Sequence, residues 1–509
     1  MATEADRATE VDTATEVDTA TEADMTTEAE MTTEVDTATE LPARLAIPAD
    51  LDLADAVSGL TVHPGQTIER RLSTWDTSDR RLARNGISLS YVDSEWRLRL
   101  PDGEQRVAGA ATTVPAALRL LVTGWVRAAT LAVVHAERIR RTPYELVDVD
   151  GIPVGRILDD QVATLEGGRL VATSRVLIVE AAAGRLISSL RAAGAKRLDD
   201  RPPAAVLGEL PDLGPLSPAS GSGALLAHAL GTHAGRLIEL DLAVRRDEPD
   251  AVHQMRVTCR RLRGVLRTFR PLVAAEWAAD LSAELAWLAG SLGDARDLEV
   301  LRERLAVTGH ADPLAPLPDE VLDRVDGLLA EREAGGQAAA AAVLSTRRYA
   351  VLLERVVAGA QSPVLSAEAA APARDAVLPL VAGVWRAFAK RADRLDPTLP
   401  DEVWHRVRIL GKRARYALEA VEAAFGRPAG KLARRLARVQ DTLGEHQDAA
   451  IAAGTLLGLG RENPADAELV LACGRLAERE RAAVRAARAA FAERWPGLSG
   501  AKATRWLTD

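Results

Sequence analysis

His253-Gln254-Met255-Arg256-Val257-Thr258-Cys259-Arg260-Arg261-Leu262-Arg263 is echoed by His405-Arg406-Val407-Arg408-Ile409-Leu410-Gly411-Lys412-Arg413-Ala414-Arg415, 152 residues downstream. Both copies read His-x-x-Arg-x-x-x-cation-Arg-x-Arg. A second pair of blocks, Leu292-Gly293-x-x-x-Asp297 and Leu443-Gly444-x-x-x-Asp448, repeats at a spacing of 151 residues. The C-terminal half is therefore a tandem repeat. On a helix, steps of three, four and seven share a face. His253, Arg256, Arg260, Arg263 and Arg267 then form one stripe. Met255, Cys259, Leu262, Leu266 and Phe269 form a second, apolar one. In the later copy Val403, Val407, Ala414 and Leu418 stand opposite His405, Arg408, Lys412 and Arg415. Each helix can pack on one side and present a row of cations on the other. Residues 253–270 hold six arginines and no acid. Such a row repels itself, which points to an anionic partner.

The bulk charge hides this. The chain of 509 residues has a net charge of −9, yet residues 1–40 hold thirteen acids and one arginine, a net of −12. The other residues therefore sum to about +3. Thr-Glu recurs every six residues from Thr9-Glu10 to Thr39-Glu40, with few large apolar side chains, so a disordered acidic tail is expected over 1–40. It is a solubilising tail or a competitor for the basic surface. No apolar run reaches membrane-spanning length. The N-terminus is not of the secretory type. Cys259 and Cys473 form no metal-type or redox pair, which fits a reducing cytoplasm.

Residues 41–200 read as mixed, with strands dominating. Strands are expected over 87–92, 96–100, 146–149, 155–158 and 175–180, and helices over 115–121 and 184–193. Residues 201–223 hold five prolines and four glycines, a linker. From 224 to 509 the chain is rich in Ala, Leu and Arg with helical periodicity, an all-α domain of two related bundles.

The repeated blocks resemble the CHAD domain, the conserved histidine α-helical domain. The resemblance rests on both basic segments, on Glu284-Leu285-Ala286-Trp287-Leu288 running into Leu292-Gly293-Asp294-Ala295-Arg296-Asp297, on Ser345-Thr346-Arg347-Arg348-Tyr349, and on Val439-Gln440-Asp441-Thr442-Leu443-Gly444. It implies two four-helix bundles related by pseudo-twofold symmetry. It also implies binding of inorganic polyphosphate in a basic groove, and association with polyphosphate granules. By the family pattern the anion contacts are His253, Arg256, Arg260, Arg263, His405, Arg408, Lys412 and Arg415. Lys431, Arg435 and Arg438, spaced as a further helical stripe, join them. Arg261 and Arg413 lie off the main stripe, as surface or ion-pairing residues. Asp297 and Asp448 are expected to cap helices or orient arginines.

Residues 41–200 resemble, more weakly, the CYTH domain of the triphosphate tunnel fold, an antiparallel β tunnel. The match is Trp75-Asp76-Thr77-Ser78-Asp79-Arg80-Arg81-Leu82-Ala83-Arg84-Asn85-Gly86-Ile87-Ser88-Leu89, with Trp96-Arg97-Leu98-Arg99-Leu100-Pro101. Active members hold Mg²⁺ with inward carboxylates and grip a triphosphate with inward cations. Here the opening Glu-x-Glu-x-Lys reads Glu40-Leu41-Pro42-Ala43-Arg44, and Val176 and Ile178 replace two inward acids, leaving Glu180. Arg138, Arg140 and Asp159 still match. Mg²⁺ needs oxygen ligands, so a tunnel-like fold without triphosphatase or cyclase activity is expected, and no metal or cofactor. The leading expectation is a non-catalytic polyphosphate binder in the cytoplasm, at granules, with no membrane partner. The alternatives are a Mg²⁺-dependent triphosphatase, a nucleic-acid binder, which the scarcity of exposed aromatics disfavours, and a helical scaffold.

Overall fold

The computed structural model describes residues 43–57, 59–166, 168–180, 184–198, 213–310 and 316–507. The side chains of 184–185, 293–300, 332–341, 499 and 501–502 are not described. The Thr-Glu tract, Glu40, Pro42, most of the linker and the Asp297 side chain lie outside the described residues.

The first part is one antiparallel sheet built from β1 (Ala43–Ile47), β2 (Thr61–Pro64), β3 (Ile68–Asp76), β4 (Ser88–Val92), β5 (Glu95–Leu100), β6 (Gly103–Ala108), β7 (Ala132–Val147), β8 (Pro153–Glu166), β9 (Arg169–Glu180) and β10 (Lys196–Arg197). Its order is β10-β1-β9-β8-β7-β3-β4-β5-β6, with β2 also on β7. The end strands β10 and β6 do not pair among the described residues, so the sheet is open where a tunnel was expected. Short helices α1 (Leu53–Ala56), α2 (Arg81–Arg84), α3 (Ala116–Leu121), α4 (Thr123–Val126) and α5 (Gly184–Ala192) cover one face. Leu45, Leu146, Ile157 and Leu177 form a core at one end of that face, and Leu89, Trp96, Leu98 and Leu118 form another at the far end.

Three strands run far longer than the sequence pattern suggests, with 16, 14 and 12 residues in β7, β8 and β9. The middle stretches of β7 and β8 carry charges on both faces and that of β9 is small and polar, so no apolar alternation marks them. The register also corrects the expected ligand set. Arg44 pairs with Ile178, Ile178 with Leu158, and Val176 with Asp160, which puts Arg44, Val176, Ile178 and Glu180 on one face. Arg138, Arg140 and Asp159 fall on the opposite face, since Arg140 pairs with Gln161 and Asp159 with Thr142. They cannot line one tunnel with the first set. The buried carboxylates of this region are already engaged: Arg141 grips Asp160 through two 2.7 Å bonds, and Arg175 grips Asp159 at 2.7 Å.

The second part is helical: α6 (Ser222–Arg245), α7 (Ala251–Thr268), α8 (Ala275–Ser291), α9 (Gly293–Gly309), α10 (Asp319–Leu344), α11 (Arg347–Gln361), α12 (Ala373–Ala392), α13 (Asp401–Ala420), α14 (Glu422–Phe425), α15 (Arg427–Glu462) and α16 (Ala467–Ser499). The apolar stripe read from the first basic segment is buried throughout, with Met255 and Cys259 at 0% exposure. One continuous core joins it to Trp404, Val407, Ala414 and Leu418 from the second copy. Each fully buried large side chain contributes about 1.5–3 kcal/mol. The helices α15 and α16 are long enough to leave that core and build a second with α9 and α10, around Leu305, Leu329, Leu456 and Leu476. At the crossing of α13 and α15, Gly411 lets the Gln440 side chain lie against the backbone of α13. A Cβ there would collide with the Gln440 amide nitrogen.

The two parts meet at α6 and α11. Arg81 and Arg127, from the helices capping the sheet, both reach Glu354, at 2.6 and 3.3 Å. Arg246 pairs with Asp102 at the other end of the contact. Gly124 lies so close to α6 that a Cβ would come within 3.1 Å of the Ile238 carbonyl. Behind it, buried Asp241 accepts bonds from the Tyr349 hydroxyl at 2.8 Å and from Arg245 at 3.0 Å. Burial raises the Asp241 carboxyl despite those donors. Glu354→Ala removes the acceptor shared by Arg81 and buried Arg127. We expect a loss of about 1–3 kcal/mol, read as a lower urea midpoint. An unchanged midpoint would show that the Glu354 cluster does not hold the parts together.

Candidate functional site

A cavity of about 610 Å³ lies between α7, α8 and α13, the helices that carry the repeated segments and their neighbour. Both basic helices enter it because their apolar stripes share one core, which turns the opposite faces toward a common cleft. From α7 and the turn after it come Arg260, Arg263, Arg267 and Arg270. From α13 come His405, Arg408, Lys412 and Arg413. No acidic side chain among the described residues lines it. The helices touch at equivalent repeat positions: a Cβ on Gly264 would meet the Tyr416 ring at 3.3 Å, and these positions are 152 residues apart.

Five of the expected residues, Arg260, Arg263, His405, Arg408 and Lys412, are therefore brought together. The others are not. His253 and Arg256 sit half-buried nearer the start of α7, outside the cavity wall, and both have partners within the protein. Arg415 is held by Glu419 at 2.7 Å, one turn along its own helix. Lys431 is exposed and lines neither cavity. Arg435 and Arg438 line a separate cavity of about 400 Å³ with Arg494 and Asp441. There Arg435 donates to the Gly497 carbonyl, and Arg494 donates to Thr442 Oγ1 at 2.6 Å.

The sequence reading missed Arg413, Arg270 and Tyr416. Arg413 stands off the stripe of Arg408 and Lys412, and a single-helix argument discards it. A cleft walled by two helices accepts residues from two adjacent stripes of each, so the repeat itself was the available signal. Arg261 differs from its counterpart. It reaches Glu419 at 3.5 Å and lies over the Tyr416 ring, 5.5 Å from its centre.

The electrostatics of the cleft are those of uncompensated positive charge. The Nε atoms of Arg260, Arg263 and Arg413 are buried without an acceptor among the described residues. A buried unsatisfied donor costs about 1–3 kcal/mol. Burial, and then the nearby Arg267 charge, pushes the Arg413 guanidinium below its usual range. Lys412 is pushed down to about 7, first by burial and then by Arg408 and Arg260, with Asp448 opposing. Asp448 lies 3.8 Å from Arg408, the orienting place expected for it, and burial raises its carboxyl. His405 donates through Nδ1 to Gln447 Oε1 at 2.6 Å, which leaves Nε2 for a ligand. No cluster of three or more His, Cys, Asp or Glu able to hold a metal occurs among the described residues.

The CHAD domain family profile matches residues 228–457. This segment is a CHAD domain. Two curated relatives extend the similarity beyond it: Uncharacterized protein MT2285 of Mycobacterium tuberculosis (strain CDC 1551 / Oshkosh) and Uncharacterized protein Rv2226 of strain ATCC 25618 / H37Rv. Each is 28% identical over 420 residues, covering 74% of this chain and 79% of the relative. Among solved structures, PptA from Streptomyces chartreusis is similar at 25% identity, with a TM-score of 0.48, over 54% of this chain and 100% of that one. The CHAD domain from the plant Ricinus communis is similar at 26% identity, with a TM-score of 0.43, over 55% and 95%. The cleft of α7, α8 and α13 lies wholly inside the matched CHAD segment.

With five lysines in the chain, the state of Lys412 in the CHAD domain can be read directly. Below pH 7 it is charged; above pH 7 it is neutral and nucleophilic. Acetic anhydride labelling followed by mass spectrometry should show half-maximal reactivity of Lys412 near pH 7. In Arg260→Ala that midpoint should move upward, because one repelling cation is gone. A midpoint near that of an ordinary lysine would contradict the crowding of cations described.

Proposed function

We propose that this protein binds inorganic polyphosphate in the cleft between α7 and α13, without catalysis, and through that binding associates with polyphosphate granules in the cytoplasm. The observation that carries the reading is a cavity lined by Arg260, Arg263, Arg267, Arg270, Arg408, Lys412 and Arg413 and by no acid among the described residues. A chain of phosphates supplies acceptors to all of them. Arginine forks pair with phosphate oxygens bidentately, and a row of neutralised phosphates releases counterions. Arg408, Lys412 and His405 complete the opposite wall.

In this reading the two repeats form bundles related by a pseudo-twofold axis between α7 and α13. The contact of matched positions Gly264 and Tyr416 supports it, as does the mutual repulsion of matched Arg260 and Lys412. The polyanion then runs along the axis and meets both copies. Arg435, Arg438 and Arg494 offer a further landing place for a long chain. The sheet, in a degenerate CYTH-like role, braces the helical domain. Its buried carboxylates Asp159 and Asp160 serve as partners of Arg175 and Arg141 rather than as metal ligands. No helix among the described residues is long and apolar enough to cross a membrane.

Titration of the full chain with long-chain polyphosphate across a salt series tests this. With about six cations engaged, the slope of log K against log salt should be about −4. Replacing Arg260 and Arg408 together by alanine should reduce its magnitude by about 1.4 and weaken binding at least tenfold. Arg435→Ala with Arg438→Ala should have the smaller effect. Duplex DNA at matched phosphate concentration should compete poorly. Absent binding at low salt, or binding indifferent to Arg260 and Arg408, would overturn the proposal.

Lys412 adds a pH dependence. An anion raises its pKa from about 7, so binding takes up a proton. Affinity should be full below pH 7 and fall as pH rises above it, by up to about tenfold per pH unit until the bound-state value is passed. In Lys412→Arg, which stays charged, calorimetry should find this fall between pH 7 and 9 abolished.

A further inference from the structure

The cleft holds more than a track of cations. Its floor is apolar. Leu266, Ala278, Ile409, Leu410 and the ring of Tyr416 line it between the two rows of arginine. Ile409 is 47% exposed there, although α13 has a buried stripe for its other apolar residues. Ala275 and Ala279 are exposed on the α8 side and leave the space above them open. Inorganic polyphosphate is polar along its whole length and has no apolar surface. It gains nothing by drying such a floor. A cavity of about 610 Å³ is also of the size that holds a small organic molecule rather than a bare anion strand.

The two surfaces together describe a ligand with a flat, weakly polar body and a chain of phosphates. Arginine planes stack on aromatic rings, and Ile409 with the part of the Tyr416 ring that Arg261 leaves uncovered adds apolar surface. The charges of Arg260, Arg263 and Arg413 line the cavity with no acid among the described residues beside them, and call for anionic oxygens there. Building on the anion-binding role of this cleft, we propose that it binds nucleoside polyphosphates, with the phosphates on the arginine rows and the base on the floor by Ile409 and Tyr416. The nucleotide uses the same cations as polyphosphate, so the two exclude each other, and free nucleotide releases the polymer.

The test is calorimetry on the full chain, in EDTA at fixed ionic strength, with three titrants: adenosine or guanosine triphosphate, inorganic tripolyphosphate, and long-chain polyphosphate. Tripolyphosphate carries as many phosphates and at least as much charge, so electrostatics alone favours it. The proposal expects the nucleotide to bind about tenfold more tightly, from the apolar area its base removes from water. Ala279→Trp, from an exposed position, fills the floor; Ile409→Asn makes it polar. Each should bring the ratio to about one while tripolyphosphate affinity persists. The nucleotide should also displace bound polyphosphate. A ratio of one or less in the unaltered chain overturns the proposal, as does a preference that survives both substitutions. Polyphosphate binding with no nucleotide preference sinks this inference alone, whereas failure of all three titrants sinks the underlying reading.

Discussion

Repulsion between like charges is the constraint around which the helical domain is arranged. Seven cations, Arg260, Arg263, Arg267, Arg270, Arg408, Lys412 and Arg413, are crowded into one cleft. Within it Lys412 has lost most of its basicity and three arginine donors lack acceptors among the described residues. The charges of the cleft push α7 and α13 apart. What holds the helices is the apolar stripe on the far side of each. Met255, Cys259, Leu262 and Leu266 share a single core with Trp404, Val407, Ala414 and Leu418. The site thus stores unfavourable electrostatics against hydrophobic packing, and an anion relieves it. A fold tuned only for stability would have placed acids opposite these arginines. It does so elsewhere: Arg304 reaches both Glu445 and Glu480, at 2.7 and 2.6 Å.

The sheet follows the contrary rule. Several of its cations have acidic neighbours, as in Arg70 with Asp93, Arg141 with Asp160 and Arg175 with Asp159. These pairs neutralise charge within the sheet, which has two small cores. It docks on α6 and α11, and α6 packs directly on the basic helix α7. The sheet therefore bears on the cleft through one intervening helix, and Asp241 with Tyr349 ties that helix to α11.

Much of this was legible in the sequence, for identifiable reasons. The repeat of His-x-x-Arg-x-x-x-cation-Arg-x-Arg carried helix, face and chemistry together, because a period of 3.6 separates the apolar from the cationic stripe. The short strands β4 and β5 were legible because Trp96, Leu98 and Leu100 alternate with Arg97 and Arg99. The long strands were not, because β7 and β8 bury ion pairs instead of an apolar face. Nor could the sequence show which stripe cations would be spent within the chain. Arg415 and Arg263 occupy equivalent repeat positions, yet only Arg415 has Glu419 one turn away. Arg413 and Tyr416 needed the second helix before they could be placed.

The most direct test of the central claim is arginine footprinting of the full chain by phenylglyoxal, with and without long-chain polyphosphate, read by mass spectrometry. Bound polymer should protect Arg260, Arg263, Arg408 and Arg413 strongly. It should leave exposed arginines outside both cavities, such as Arg236 and Arg391, as reactive as before. Protection spread evenly over the surface, or absent from the wall of the cleft, would contradict the account.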